Sequence, residues 1–299
     1  MAELQNTSPF DTEAEGINFS LEIFPPKVGA ETTTDHWNAI DSFCKLRPSC
    51  ISITCGAFGS NSQLPKDIAL KIRDMGANPA VHFTCLNKTS AEVESIARDY
   101  KANGINNIVA LRGDYPIDGS PQELESAKSA KGKLHHAYQL VEVLSSIGGF
   151  DISVASYPEK HPEAKSMQED IDHLKQKLDA GANRSITQFF FDPDVFLEFR
   201  EKATAAGISK PIIPGILPIL NINKAITFAD KCGVNLPDFL LRMYEDVPPN
   251  STDHKLLAMN ILSHQITRLL SEGVRFFHFY TLNDIMLSTH ICKWLKEGF

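Results

Sequence analysis

Eight short apolar segments, separated by longer stretches of helical periodicity, constrain the fold of this chain more than any other feature. Each is rich in β-branched or aromatic residues. They cover residues 18–24, 50–56, 79–85, 107–113, 151–157, 184–191, 211–217 and 275–282. Largely apolar strands that alternate with helices are typical of a parallel sheet whose faces are covered by helices. The pattern predicts an α/β fold of eight strand–helix units.

The segments between the strands carry recognisable helix ends. "TSAE" at 89–92 has the spacing of a capping box, and Asp192 precedes a proline at a predicted first helical position. The segment 167–181 is amphipathic and ends at Gly181, where a helix terminus favours glycine. The segment 254–273 and the shorter "LPDFLLRMYED" before it predict extra helices ahead of the last strand.

The 299 residues show no break in composition, which favours one closed (β/α)₈ TIM barrel over a doubly wound open sheet with an appended helical part. We predict a flexible N-terminal segment, 1–17, followed by the barrel domain, 18–299. The connection 115–134 is polar and rich in Gly, Pro and Ser. A connection this long is either a functional lid or a floppy insertion.

Charge and composition exclude several classes of protein. The net charge of −8 leaves no general basic surface, so nucleic-acid binding is disfavoured. The six cysteines form no CxxC pair, the N-terminus has no apolar signal-peptide core, and no apolar stretch is long enough to span a membrane. These features predict a cytoplasmic protein with no membrane partner.

Polar residues gather at the carboxyl ends of the predicted strands, where barrel enzymes carry their active sites. They are Glu22, Thr54, His82, Arg112, Asp114, Tyr157, His161, Gln188, Tyr280 and Thr281. Glu22 carries the most weight, because a carboxylate between Leu21 and Ile23 either faces a polar barrel mouth or is costly to bury. One histidine on a strand is more often structural than catalytic. The placement of all these polar residues at the same ends of the strands is what favours an active site there.

The sequence lacks the motifs of several common enzyme classes. It contains no GxGxxG, GxxxxGK[ST] or GxSxG motif, and no predicted strand carries a lysine for a Schiff base. A metal site from Glu159, His161 and Glu163 is disfavoured, because alternation in a proline-containing loop gives poor ligand geometry, and we predict no metal. The residues predict a carboxylate, imidazole and amide site without naming its substrate.

Eight strings of the sequence resemble the bacterial methylenetetrahydrofolate reductases. They are "SLEIFPPK", "ITCGA", "VHFTC", "NIVALRGDYP", "VASYPEKHPEA", "DAGANRSITQFFFD", "IIPGILP" and "FHFYTLN", in family order. The resemblance implies a (β/α)₈ barrel that binds FAD and reduces 5,10-methylenetetrahydrofolate to 5-methyltetrahydrofolate for methionine synthesis. It implies ping-pong use of NADH as the usual reductant, with NADPH left open. It also implies a homo-oligomer, since homotetramers occur in the family.

The resemblance also implies roles for individual residues. Glu22 matches the general acid that assists opening of the substrate's imidazolidine ring, and partial burial is expected to favour its protonated form. Asp114 matches an aspartate near both flavin and folate. The implied FAD contacts are Thr54, His82, Leu111, Arg112, Gly113, Asp114, Ala155, Tyr157, His161, Asp170 and Lys177. The implied substrate contacts are Glu22, Asp114, Gln188, Phe228 and Tyr280.

Some of these positions have a plainer interpretation, and two depart from the family pattern. Phe228 fits a core residue as well as an aromatic that stacks on substrate or nicotinamide. Asp170 and Lys177 fit a solvated helix face. Cys55 stands where relatives commonly have an aromatic residue. Asp284 stands where they often have an arginine that would meet the folate's glutamate tail, and an acid there is expected to repel that tail.

Two other functions compete with the reductase. One is a folate-binding methyltransferase barrel without redox activity, which "ALRGD" and "YPEKHPEA" disfavour. The other is an adhesion or scaffold protein that displays Arg112-Gly113-Asp114 as a recognition triplet. That function would require secretion and an exposed loop, and the sequence supports neither.

Overall fold

The computed structural model describes residues 16–26, 33–55, 63–115 and 130–297, and its eight parallel strands form a closed barrel in chain order. The strands are β1 Asn18–Ile23, β2 Ile51–Ile53, β3 Pro79–Thr84, β4 Asn107–Leu111, β5 Asp151–Ser156, β6 Arg184–Phe189, β7 Ile212–Ile216 and β8 Phe276–Tyr280. The predicted (β/α)₈ barrel is confirmed. The open sheet is wrong, because β1 pairs with β8 as well as with β2.

Ten helices lie within the described ranges, and most follow a strand as the alternation predicts. They are α1 Thr34–Lys45, α2 Gln63–Asp74, α3 Ser90–Ala102, α4 Ala137–Ile147, α5 Met167–Asp179, α6 Pro193–Ala205, α7 Ile222–Cys232, α8 Asp238–Tyr244, α9 Thr252–Ser271 and α10 Ile285–Glu297. Helices α8 and α9 are the extra helices predicted before the last strand. In these ten helices there is no segment both long and apolar enough to cross a membrane.

The predicted helix ends are present. Thr89 and Glu92 form the capping box of α3, and the Asp192 side chain caps α6. Gly181, just after α5, has φ +124°, and a Cβ atom there would lie 2.2 Å from Oγ of Ser145. Glycine is therefore required here both for its backbone conformation and for space.

Two predictions fall wholly or largely outside the described residues. Of the predicted flexible segment 1–17, residues 1–15 are not described, and of the connection 115–134, predicted to be either a lid or a floppy insertion, residues 116–129 are not described. The end of the second segment is anchored, because Leu134 is buried and its N–H donates to the carbonyl of Lys88 at 2.7 Å.

The barrel interior toward the amino ends of the strands is filled by an apolar layer. This layer consists of Cys50, Ala80, Val109, Ile186, Ile213 and Phe276. A buried ion pair between Asp151 and Arg184 lies at the starts of β5 and β6. This end of the barrel is closed by packing and paired charge.

A register shift interrupts the pairing of β6 with β7. Ile186 faces Ile213, but Phe189 faces Gly215, so three steps along β6 correspond to two along β7. The extra residue makes a β-bulge, a feature that re-aims side chains and is common beside active sites.

Candidate functional site

A cavity of about 240 Å³ lies at the carboxyl ends of the strands, on the face where the sequence places its polar residues. Predicted site residues that line it are Glu22, His82, Leu111, Ala155, Tyr157, Gln188, Phe228 and Tyr280. Further lining residues are Phe24, Val109, Val154, Ile186, Cys232, His278 and Leu282. The cavity is mostly apolar with a few convergent polar groups, as ligand sites usually are.

Glu22 lies between two imidazoles inside this cavity. Its Oε2 is 3.3 Å from Nε2 of His82 and 3.4 Å from Nε2 of His278. The His278 contact has hydrogen-bond geometry, whereas Nε2 of His82 has no hydrogen-bond partner in the described part of the chain. Nδ1 of His278 lies 2.7 Å from Oγ of Ser20. Ser20, Glu22, His82 and His278 together form what we call the carboxylate–imidazole cluster.

The charge state of Glu22 differs from the expectation based on burial alone. Burial raises the pKa of this carboxyl, but the positive charge of His82 and the hydrogen bond from His278 outweigh it. The resulting pKa is about 2. The prediction that burial keeps Glu22 protonated is therefore wrong. The Glu22 carboxyl is therefore ionised near neutral pH and lies within 3.4 Å of two imidazole nitrogens.

The sequence analysis did not select Ser20 or His278. A signal for both was present, because side chains two apart on a strand share a face. Ser20 lies two residues before Glu22, and His278 lies two residues before Tyr280. Ser20 and His278 therefore face the barrel interior, as Glu22 and Tyr280 do.

Three predicted cofactor residues lie behind the Tyr157 side of the cavity. The ring of His161 meets that of Tyr157 edge-on, with centroids 4.6 Å apart. Asp170 accepts a hydrogen bond from the backbone N–H of His161 at 2.8 Å. Nζ of Lys177 donates to the carbonyl of Ala155 at 2.5 Å.

The alternative that Asp170 and Lys177 belong to a solvated helix face is wrong. Asp170 is 6% exposed. Burial lowers the pKa of Lys177 to about 8, although the charge of Asp170 acts in the opposite direction. The first and third turns of α5 thus direct an anion and a cation toward the barrel, not toward solvent.

The end of β4 carries the Arg-Gly-Asp triplet. Arg112 forms an ion pair with Glu163 and lies over the ring of Tyr115, 5.3 Å from its centroid. Gly113 has φ +91°, and a Cβ atom there would be 3.1 Å from Cβ of Thr84, so the chain passes close to β3. Asp114 is exposed. The triplet thus continues a barrel strand beside the cavity.

The remaining predicted positions have local partners. The backbone N–H of Thr54 donates to the carbonyl of Ile23 at 3.1 Å. Phe228 lines the cavity and also stacks on Phe189, with centroids 5.4 Å apart, and its stacking on a ligand stays a prediction. Asp284 accepts a hydrogen bond from the N–H of Leu287 at 2.9 Å and thereby caps α10.

The donor set fits a dinucleotide cofactor with a diphosphate better than a metal ion. Arg112 and Lys177 supply positive charge, and Asp170 supplies an acceptor. Within the described ranges there is no group of three His, Cys, Asp or Glu side chains able to hold a metal. Glu159 accepts from the N–H of Asn235 while Glu163 pairs with Arg112, so these two acids have separate partners.

Comparisons with known proteins agree with this architecture. A family model described as methylenetetrahydrofolate reductase matches residues 10–296. The 5,10-methylenetetrahydrofolate reductase of Escherichia coli (strain K12) is 44% identical over 285 residues, covering 95% of this chain and 92% of that protein. The enzyme of the same name from Pectobacterium carotovorum subsp. carotovorum is 40% identical, covering 93% and 90%.

A solved structure is similar in fold. It is an uncharacterized Clostridium thermocellum protein described as binding two copies of 5-methyl-5,6,7,8-tetrahydrofolic acid. It superposes with a TM-score of 0.64 at 15% identity, covering 93% of this chain and 96% of that one. At this identity the likeness concerns the barrel fold alone.

Proposed function

The chain belongs to the methylenetetrahydrofolate reductase family, and we propose that it reduces 5,10-methylenetetrahydrofolate to 5-methyltetrahydrofolate with FAD as cofactor and NADH or NADPH as reductant. The observation that carries this proposal is the carboxylate–imidazole cluster, in which the buried carboxylate of Glu22 lies beside two imidazoles inside the cavity. NADH in preference to NADPH, a cytoplasmic location, a homotetrameric assembly and a part in methionine synthesis stay predictions from the family resemblance.

The charges around the cavity support a cofactor site at this end of the barrel. Arg112 and Lys177 would offset the diphosphate, and Asp170 would accept hydrogen bonds from hydroxyl groups. FAD bound here would supply the redox chemistry that links the nicotinamide to the folate's methylene carbon. Leu111 and Ala155 contribute apolar walls to this space.

The role of Glu22 is to deliver a proton to a nitrogen of the substrate's imidazolidine ring. Protonation weakens the bond from that nitrogen to the bridging carbon, and the carbon becomes an electrophilic iminium. His278 hydrogen-bonds both Ser20 and Glu22, so it is placed to replace the proton that Glu22 gives up. The low pKa of Glu22 is compatible with this role, because the cluster supplies the proton as a unit.

The other polar groups are suited to the substrate. The Gln188 amide offers a donor and an acceptor to the matching edge of the pterin, and Phe228 offers a ring face. Tyr280 forms part of the same wall. The exposed carboxylate of Asp114 at the end of β4 would stabilise a cationic iminium by charge.

The test is a visible spectrum of the purified protein, followed by anaerobic addition of NADH and then of methylenetetrahydrofolate. We expect flavin bands that bleach with NADH and return with the folate. A spectrum that stays featureless after FAD is added would refute the reductase proposal and favour the folate-binding methyltransferase barrel. Bleaching without recovery would remove the folate half of the proposal.

A further inference from the structure

The β-bulge between β6 and β7 is held by side chains that supply hydrogen bonds at the irregular step. The N–H of Gly215 donates to Oγ1 of Thr187 at 2.9 Å. The N–H of Phe189 donates to Oε1 of Gln188 at 3.1 Å. The carbonyl of Thr187 accepts from the hydroxyl of Tyr280 at 2.7 Å. Backbone groups in a barrel interior need such partners, because leaving them unpaired is costly.

The Tyr280 contact spans a whole strand. Tyr280 belongs to β8 and Thr187 to β6, and β7 runs between them. The span is open because β7 has Gly215 at this level. A Cβ atom on Gly215 would lie 2.2 Å from the carbonyl oxygen of Thr187 and 2.7 Å from Cε2 of Tyr280. The phenol ring thus occupies space that any other residue at 215 would fill.

The bulge sets the position of the cavity amide. Thr187 is fully buried, and the next residue, Gln188, lines the cavity. A change in the Thr187 peptide therefore rotates or shifts the backbone that carries Gln188. Burial also raises the pKa of Tyr280 well above its ordinary value, so the phenol stays protonated and remains a donor.

We propose that Tyr280 is a positioning residue, whose hydroxyl fixes the bulge through the carbonyl of Thr187 and so holds Gln188 in place to bind the pterin edge of the folate. The inference rests on the proposed function for the identity of the ligand. In this role the Tyr280 hydroxyl binds the backbone carbonyl of Thr187, and only the Tyr280 ring faces the cavity.

A double-mutant cycle on the holoenzyme tests this role. Its variants are Tyr280→Phe, which removes only the hydroxyl, Gln188→Met, which keeps the volume but removes the amide, and the two combined. The affinity for 5-methyltetrahydrofolate is measured by calorimetry, and the rate of flavin bleaching by NADH is measured without folate. We expect each single change to weaken folate binding about tenfold. The double variant should bind about as weakly as Gln188→Met alone, because Tyr280 acts through Gln188.

The matched control is Tyr244→Phe. Tyr244 is also buried, but its hydroxyl has no hydrogen-bond partner in the described part of the chain, so its removal should leave folate affinity unchanged. Tyr244→Phe should also change the rate of bleaching by NADH by less than about twofold. If the two losses of folate affinity instead multiply to about a hundredfold, Tyr280 contacts the folate directly and the positioning role is refuted.

A second measurement, made without folate, tests whether the backbone of the β-bulge is less protected in the variant. Hydrogen–deuterium exchange of a peptide that spans residues 187–191 should be faster in Tyr280→Phe than in the wild type, and unchanged in Tyr244→Phe. Equal exchange in all three proteins would refute the proposal. A wild type that binds no folate would refute the proposed function, while this exchange result would still decide whether Tyr280 holds the bulge.

Discussion

The two ends of the barrel interior both contain buried charge, but they treat it differently. At the amino end, both terminal nitrogens of Arg184 donate hydrogen bonds to the carboxylate of Asp151. Arg184 is 4% exposed. At the carboxyl end, Glu22 meets two imidazoles at 3.3 and 3.4 Å, and one of those contacts lacks hydrogen-bond geometry. In the first pair the cation is a guanidinium held by two hydrogen bonds, whereas in the second both possible cations are imidazoles at longer distances.

This difference separates a structural ion pair from a reactive one. A guanidinium cannot give up its proton in a protein, so Asp151–Arg184 stores no transferable proton. An imidazole can give up a proton near neutral pH. The carboxylate–imidazole cluster therefore contains groups that can transfer a proton. The apolar layer fills the amino end, and the cavity opens at the carboxyl end. Five tests address the contrast, in order of expected effect.

The largest effect is expected for Glu22→Gln. The amide keeps the size of the side chain but cannot carry the proton, so folate turnover should fall about 10²–10⁴-fold. Bound flavin and its bleaching by NADH should persist, because neither needs that proton. Stopped-flow measurement of the two half-reactions separates them. Loss of both to a similar degree would show that Glu22 serves the site as a whole and not the acid step.

Asp151→Asn tests the amino end. Removing one partner leaves the buried Arg184 charge uncompensated, which should lower the free energy of unfolding by about 3–5 kcal/mol. Asp41→Asn is the control, since Asp41 pairs with Lys45 on the surface and should matter by less than about 1 kcal/mol. Urea titrations give both values. Turnover per folded molecule should stay at the wild-type level, and a matching loss of turnover would contradict the division between the ends.

His82→Gln tests the electrostatics of the cluster. Burial remains in this variant while the largest pKa-lowering charge is removed, so the pKa of Glu22 should rise from about 2. Difference infrared spectroscopy of the carboxyl group, with Glu22→Gln as the blank, measures the change. A pKa that stays at the wild-type value would mean that His278 alone sets it.

The same shift has a defined sign for stability. The folded pKa of Glu22, about 2, is below its ordinary value of 4.5. Ionised Glu22 therefore stabilises the fold fully above pH 4.5, and this contribution is lost as the pH falls toward 2. In unfolding titrations over that window, the Glu22→Gln variant should lose less stability than the wild type.

The fold was predictable because each local signal agrees with the others. The alternation of strands and helices, the capping box at Thr89 and the glycine at 181 all indicate the same eight units. Strand ends were predicted less well. The second strand was predicted over 50–56, whereas the described part of the chain has it over Ile51–Ile53, followed by one further backbone hydrogen bond from Thr54 to Ile23.

The site was predictable only in part. The carboxyl-end rule brought Glu22, His82 and Gln188 together correctly, because it depends on strand direction alone. The pKa of Glu22 was not predictable, since it depends on His82 and His278, which lie on other strands and meet Glu22 only in the closed barrel. The β-bulge was hidden for a similar reason, because it is defined by a register between two strands and not by either sequence.

The smallest effects are expected for two cysteines at opposite ends of β2. Cys50 is 1% exposed in the apolar layer, so Cys50→Ser places a hydroxyl among apolar side chains and should lower the free energy of unfolding by about 1–3 kcal/mol. Cys55 is half-buried at the cavity end, next to Thr84, so Cys55→Ser should change it by less than about 0.5 kcal/mol. Urea titrations compare the two variants. Equal losses would mean that the cavity end is packed as tightly as the closed end, and the contrast between them would then rest on charge alone.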